Sequence, residues 1–581
     1  MIARWYGPAA WLITGCLVVL QPGPAGGQQR QGPIQLFPST PDAAPGDDAA
    51  PLEPAPDDRR PPSGFEVEGL AAPEVDAIGL DAGFGPELWR GSDPALVLKL
   101  LRDLPVATHN PPLRELTRRL LISGTNLPVE PGGSLLAARV ARLEAMGALG
   151  DAALLLAQLP PTDQDSALTR AAADVALLRG DDERACRLAQ DVAPASEVPY
   201  WTKLMAYCRL RAGDIAGGRL TVDLLREAGG AEDAAFLELA DAMASGSPGE
   251  VGLAEPSPLH VAMLREAGVP LPPPALANPS PALLAAIVAT PELAPDAGLE
   301  LAEQAFMAGV LSADALAARY LEAAPADDGA DVLTAIGDEW GPDTRARALR
   351  RAREEEVAPA RAELLDALWL AAAGPGRIMI ARTFVQPFAG LPLEEGLVFA
   401  APSTARALLG AERPVSAAHW FALLERADGA ASGSRQAAAS LSPLFTLADI
   451  GGRRSVPEVS AEMLAAWRAA SGAGPERTAR LLSLLEGISG PVDPALWRDL
   501  LEPPFESASP APNLPLWRLL ERTGAERRDG ELILIALHLL GGGGPEANLE
   551  AVLQGLRALR TAGLDGQARA IAVTDALMAG L

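Results

Sequence analysis

The chain has 581 residues, more than one hydrophobic core organises, so it is either several domains or a quasi-one-dimensional stack. Its 48 basic and 75 acidic residues give a formal charge of −27, a surface that repels phosphate backbones and anionic headgroups and argues against nucleic-acid or membrane-surface partners. Hydrophobic residues reach 49 % but aromatics only 4 %, so Ala and Leu carry the packing, while 56 Gly and 54 Pro punctuate what reads as many short helices.

Residues 1–8 hold one Arg and no acid, Ala9 to Leu20 is a largely apolar run, and Ala25-Gly26-Gly27 places small residues before Gln28. This order predicts a signal peptide over 1–27, cleaved near Gly27/Gln28, and a periplasmic or secreted mature chain. The run is shorter than the roughly 20 apolar residues a membrane span needs. Ile13-Thr14-Gly15-Cys16 also resembles the lipobox of bacterial lipoproteins, which leaves a lipid anchor through Cys16 as the alternative. Residues 28–63 are rich in Pro, Ala, Asp and Gln without periodicity and are expected to form a disordered linker. No later segment has an apolar run long enough to leave a transmembrane span in the mature chain.

Residues 64–245 carry the clearest rhythm. Ser92-Asp93-Pro94 is a good helix start. Gly150-Asp151, Gly180-Asp181 and Gly213-Asp214 recur at intervals of 30 and 33 residues between apolar stretches of helical period. Leu168, Ala172, Val175 and Leu178 make one such face; Ala185, Leu188, Ala189 and Val192 a second; Trp201, Leu204, Met205, Cys208 and Ala212 a third. A period in this range marks an array in which each helix pair buries its apolar face against its neighbours. These residues resemble tetratricopeptide repeats, in which a Gly-Asp turn joins two helices and a small residue follows five positions after the Gly. Ala185 and Gly218 match that offset and Leu155 does not. The resemblance implies a stack of helix hairpins and names no ligand.

Residues 246–280 form a Pro-rich crossing around one helix, Leu259 to Ala267. A middle helical region, 281–428, is expected to hold helices at 281–290, 295–308, 312–324 and 343–372. In the last of these, Arg345, Arg347, Arg350, Arg351 and Arg353 precede Glu354, Glu355 and Glu356, a pattern of i,i+3 and i,i+4 ion pairs. Pro375, Pro387, Pro392 and Pro402 limit helix length in 374–412, and Gly429 to Ser434 reads as a mobile loop. The C-terminal region, 429–581, contains Trp467, Trp497 and Trp517 in short helices, where they are expected to wedge between repeats, then Leu532 to Leu540 and a long stretch over 545–580.

Few residues suggest chemistry. After cleavage two cysteines remain, Cys186 and Cys208, on consecutive predicted helices. Cys186 lies about ten residues before the turn at Ala195–Glu197 and Cys208 about twelve after it, a mismatch of about 3 Å along antiparallel helices. That fits a disulfide in an oxidising compartment, the alternative being two buried thiols. His109, His260, His419 and His538 are scattered, with no two at metal-site spacing. No nucleophile elbow, phosphate loop or dinucleotide fingerprint appears, so no catalytic residue, cofactor or metal site is assigned. Asp327-Asp328-Gly329-Ala330-Asp331 is too short for a calcium loop.

The expectation is an all-α protein: an α-solenoid of stacked antiparallel helix pairs after a disordered N-terminal tether, acting without catalysis as a scaffold or adaptor for a protein, peptide or other envelope component. Two alternatives stand beside it. One is a peptidoglycan-acting enzyme, since soluble lytic transglycosylases also carry Ala/Leu-rich helical superhelices; Glu506-Ser507 is the one candidate for their Glu-Ser signature in the C-terminal part. The other is a purely structural spacer. Oligomeric state is open.

Overall fold

A computed structural model describes residues 77–581, apart from 81, 86, 126, 128–133, 160–165, 197, 228–232, 248–250, 326–330, 428–431, 450–458, 502–513 and 542–546. The signal peptide, Cys16, the 28–63 linker, Glu506-Ser507 and Asp327 to Ala330 lie outside the described residues. Every regular element among the described residues is helical. The first nine α-helices are α1 (Pro94–Arg102), α2 (Pro111–Ile122), α3 (Leu135–Ala145), α4 (Leu149–Leu156), α5 (Ser166–Leu178), α6 (Asp182–Val192), α7 (Pro199–Arg211), α8 (Ile215–Glu227) and α9 (Ala234–Ser245).

From α3 onward these stack as antiparallel pairs, each helix against the one before and after it. The first helix of each pair ends in a glycine in the left-handed region: Gly147 after α3, Gly180 after α5, Gly213 after α7 and Gly246 after α9, with φ of 74°, 77°, 82° and 68°. The spacing is 33 residues at every step. The expected first turn is therefore shifted: Gly150 and Asp151 lie inside the first turn of α4, and Gly147 makes the bend. The Gly180-Asp181 turn forms as expected, with Asp181 accepting from the Arg184 N–H at 3.2 Å as a helix cap. Cys186 on α6 and Cys208 on α7 form a disulfide, Cα–Cα 5.6 Å, that ties two successive pairs together.

The Pro-rich crossing supplies α10 (Pro258–Ala267) and α11 (Pro273–Leu276), and the middle region opens with α12 (Pro281–Ala289). α10 packs on α5, α7 and α9, and α12 packs on α3 and α5, so the chain's own helices cover this face of the array. Six consecutive α10 residues, Leu259 to Leu264, are buried. Two polar contacts fix its orientation. His260 Nδ1 accepts the Ser257 N–H at 3.2 Å, which places the ring proton on Nε2, and Nε2 donates to Asp233 Oδ2 at 3.0 Å. Asp233 also caps α9 through Phe236 and accepts from Lys203 at 3.0 Å. At the other end Arg265 bonds Asp182 at 2.8 Å and the Leu177 carbonyl at 3.1 Å.

The middle continues with α13 (Gly298–Ala308), α14 (Ala313–Ala323), α15 (Val332–Asp338), α16 (Pro342–Glu354), α17 (Ala358–Ala371), α18 (Gly376–Thr383) and α19 (Val385–Ala389). The expected single helix over 343–372 is two helices, because Pro359 cannot supply the N–H that a continuous helix needs and instead sits in the first turn of α17. The expected ion pairs do form on α16, Arg350–Glu354 and Arg351–Glu355. The last helices are α20 (Ala401–Gly410), α21 (Pro414–Arg426), α22 (Ser432–Ala448), α23 (Ala461–Ser471), α24 (Pro475–Ser489), α25 (Pro494–Arg498), α26 (Leu514–Glu526), α27 (Asp529–Leu540), α28 (Leu549–Thr561) and α29 (Asp565–Met578). α22 begins at Ser432, so the second half of the expected 429–434 loop is helical. Gly563, at φ 78°, divides the expected 545–580 stretch into α28 and α29. Trp467 is 1 % exposed, and Trp497 donates to Glu486 at 2.9 Å; both are packing residues.

The array does not stay open. α29 packs against α2, α18, α20, α22, α24 and α28, and α1 packs against α27, so helices from both ends meet. Asn110 caps α2 through its Oδ1 and donates from Nδ2 to the Ile571 carbonyl on α29 at 3.0 Å. The Gly530 N–H bonds the Leu88 carbonyl at 2.9 Å, and His538 bonds the Leu100 carbonyl at 2.9 Å. On α29 itself, buried Asp575 pairs with buried Arg480 of α24 at 2.8 Å. α27 suits this central place because its sequence, LILIALHLL over its last nine residues, is apolar on every side.

Candidate functional site

Closure brings together turns that are remote in sequence. The start of α2, the α3–α4 turn, the α13–α14 turn, α18, the α20–α21 turn and the first turn of α29 surround an open cavity of about 610 Å³. That size suits a ligand of a few residues. Two glycines let the turns approach. A Cβ on Gly147 would stand 2.4 Å from Val310 Cγ1 and 2.6 Å from the Pro281 carbonyl oxygen, and one on Gly309 would stand 2.3 Å from Arg114 Nη1.

The wall carries four arginines, Arg114, Arg118, Arg119 and Arg382, and two glutamates, Glu115 and Glu412. It is a locally cationic hollow on a protein of charge −27. Two of the arginines have carboxylate partners. Arg118 holds Asp151 through Nε at 2.6 Å and Nη2 at 2.9 Å, the parallel fork that makes such pairs strong. Arg382 holds Glu412 at 2.6 Å, yet its Nε is buried without a hydrogen-bond partner among the described residues. Arg119 donates from Nε to the Ala82 carbonyl at 2.9 Å and lies over the Phe84 ring. Arg114 donates from Nη2 to the carbonyls of Thr108 and Met307, at 2.6 and 2.7 Å, and so joins α2 to the end of α13. Burial without a carboxylate, and repulsion from Arg382, bring its guanidinium down to about 10. Burial and the Arg114 charge likewise hold His109 below the ordinary histidine value.

Backbone adds to this field. Ala148 precedes α4 and Leu564 precedes α29, neither with a side chain able to cap, and the cavity is lined by Ala148 and by Gly566 and Gln567 of the first turn of α29. The first N–H groups of α29, at the positive end of its helix dipole, therefore border the hollow.

A second group of titratable side chains lies on α3, α5 and α7. Tyr200 donates to Asp174 at 2.7 Å, and Arg170 lies over the Tyr200 ring. Burial, then repulsion from Asp174, raises Glu144 to about 7, and burial raises Asp174 as well. A further cavity of about 630 Å³ between α12, α13 and α14 is mainly apolar, with Arg319, Glu322 and Asp343 at its rim.

Of the residues singled out by sequence, Cys186 and Cys208 are joined, while His109, His260 and His538 sit in three separate environments. No group of His, Cys, Asp and Glu suited to a metal ion occurs among the described residues. The sequence reading missed the cationic hollow. Its one linear trace is Arg114, Arg118 and Arg119, helix-spaced on α2. In comparisons with protein-family models, curated proteins and solved structures, nothing matches this chain.

Proposed function

We propose that this protein is an exported, non-catalytic adaptor of the cell envelope that holds a peptide segment of a protein partner in the cleft where its helical array closes. The observation that carries this reading is the convergence of helix segments and turns from residues 111–119, 146–148, 309, 382, 412 and 566–570 on one cleft of peptide size. A face of the repeat array would be the usual site in a helical stack, but here α10 and α12 already cover one. Export is supported by the Cys186–Cys208 disulfide, which persists in oxidising compartments, together with the signal-like N-terminus.

The test is photo-crosslinking in intact cells. A photoreactive residue replaces Glu115 at the cleft, where the side chain is 56 % exposed, and Leu224 on the outer side of α8, where the residue is 55 % exposed, as a control. An envelope protein captured from position 115 and not from 224 is expected. Equal capture from both positions, or none from 115, would overturn the proposal. The purified protein is also expected to leave peptidoglycan intact; turnover would transfer the reading to the enzyme alternative.

A further inference from the structure

Resting on the adaptor reading, we infer that the cleft recognises a carboxylate of its peptide partner, carried on an acidic side chain or at a chain terminus. The argument begins with charge placement. A chain with 27 more acidic than basic residues collects four arginines around one cavity. Three are only partly neutralised or not at all by carboxylates: Arg114 and Arg119 donate to carbonyl oxygens, and Arg382 shares one nitrogen with Glu412 while its Nε has no hydrogen-bond partner among the described residues. Guanidinium donors in a fixed fork match a carboxylate geometrically. The start of α29, not capped by a side chain, lines the cleft at Gly566 and Gln567 and adds backbone donors whose dipole favours negative charge.

The surroundings then limit the anion. The overall negative field repels extended polyanions such as nucleic acid or an anionic bilayer, so the ligand's charge must be confined to what enters the cleft. One or two carboxylates on an otherwise neutral peptide meet that condition.

The experiment is calorimetric titration of the purified protein with three short probes: acetyl-Glu-Glu-amide, which carries only side-chain carboxylates; acetyl-Gly-Gly, which carries only the terminal one; and acetyl-Gln-Gln-amide, which carries neither. At least one carboxylate probe is expected to bind about tenfold or more tighter than the Gln probe, and to weaken as ionic strength rises. Which of the two binds identifies the source of the carboxylate. Gln567→Glu places a negative charge at the cleft wall in the first turn of α29, where an acid is compatible with the helix, and is expected to lower that affinity about tenfold or more. Arg114→Gln is expected to do the same. Because Arg114 also joins two helices, Gln567→Glu is the variant that separates binding from folding. Equal binding of all three probes, binding of inorganic phosphate but of neither carboxylate probe, or undiminished binding by Gln567→Glu would each overturn the inference. A partner crosslinked at position 115 with no carboxylate preference would leave the adaptor reading standing and remove this one.

Discussion

The pair Arg480–Asp575 tests whether α29 holds the closed array together. Both side chains are nearly buried, at 8 % and 5 % exposure, with Nη1 to Oδ2 at 2.8 Å, and Arg480 Nη2 reaches the Ala547 carbonyl at 3.3 Å. Asp575→Ala leaves a guanidinium buried without its carboxylate, for which about 3–5 kcal/mol of stability is expected to be lost. Replacing both members by apolar residues of similar volume, Arg480→Met with Asp575→Leu, removes the stranded charge and is expected to return most of that loss, to within about 1 kcal/mol of the parent. Urea unfolding followed by circular dichroism measures both differences. Hydrogen exchange then asks where the damage appears. Since α29 touches α2 and four helices between α18 and α24, the single variant is expected to lose protection in α2, more than 450 residues away in sequence, as well as in α24 and α29. A single variant costing under about 1 kcal/mol, a double variant as unstable as the single, or protection lost only in α24 and α29 would refute the account.

Three further outcomes follow from local structure. The disulfide spans 22 residues, so Cys186→Ala with Cys208→Ala is expected to cost about 3 kcal/mol in urea unfolding, and a change below about 1 kcal/mol would contradict a chain-constraining role. Glu144, held near 7 by burial and by Asp174, binds its proton more tightly folded than unfolded, so its contribution weakens stability as pH rises from about 4.5 to about 7. Glu144→Gln is accordingly expected to be the more stable protein at pH 8, by up to about 3 kcal/mol, with the advantage gone below pH of about 4.5; a constant difference across that range would refute the assignment. Gly147 and Gly246 occupy the same place in the 33-residue period, both left-handed, yet a Cβ on Gly246 meets nothing within 4 Å. Gly246→Ala is expected to cost about 1 kcal/mol and Gly147→Ala clearly more, read as a difference in thermal midpoint.

The repeat was legible in sequence because helices of fixed length need a punctuating glycine, and Gly180 and Gly213 announce themselves through the aspartate that follows. Gly147 was hidden by Gly150, which has the same Gly-Asp letters but lies within α4, where Asp151 serves Arg118 instead of a cap. Gly246 lacked an aspartate and went unnoticed. The period was thus regular, and the reading of it was off by three residues at its first step. The disulfide was legible for a simpler reason: antiparallel helices at fixed rise bring residues equidistant from a turn side by side. The cleft was not legible. Its residues run from 111 to 570, and long-range contacts of α2 with α29 and with the end of α13, and of α18 with α29, bring them together. Periodicity reports on neighbours along the chain; it carries no information about whether a stack returns to its beginning.

Closure also changes what the molecule can tolerate over evolutionary and synthetic time. An open stack of helix pairs can gain or lose a pair, because each pair meets only its neighbours. A stack whose α2 is bonded to α29 has a fixed circumference, so an inserted or deleted pair would part Asn110 from Ile571, and variation is directed into the connections between helices. During synthesis α1 and α2 emerge more than 400 residues before the helices that cover them, and their surfaces stay unfinished until α27 and α29 have been made.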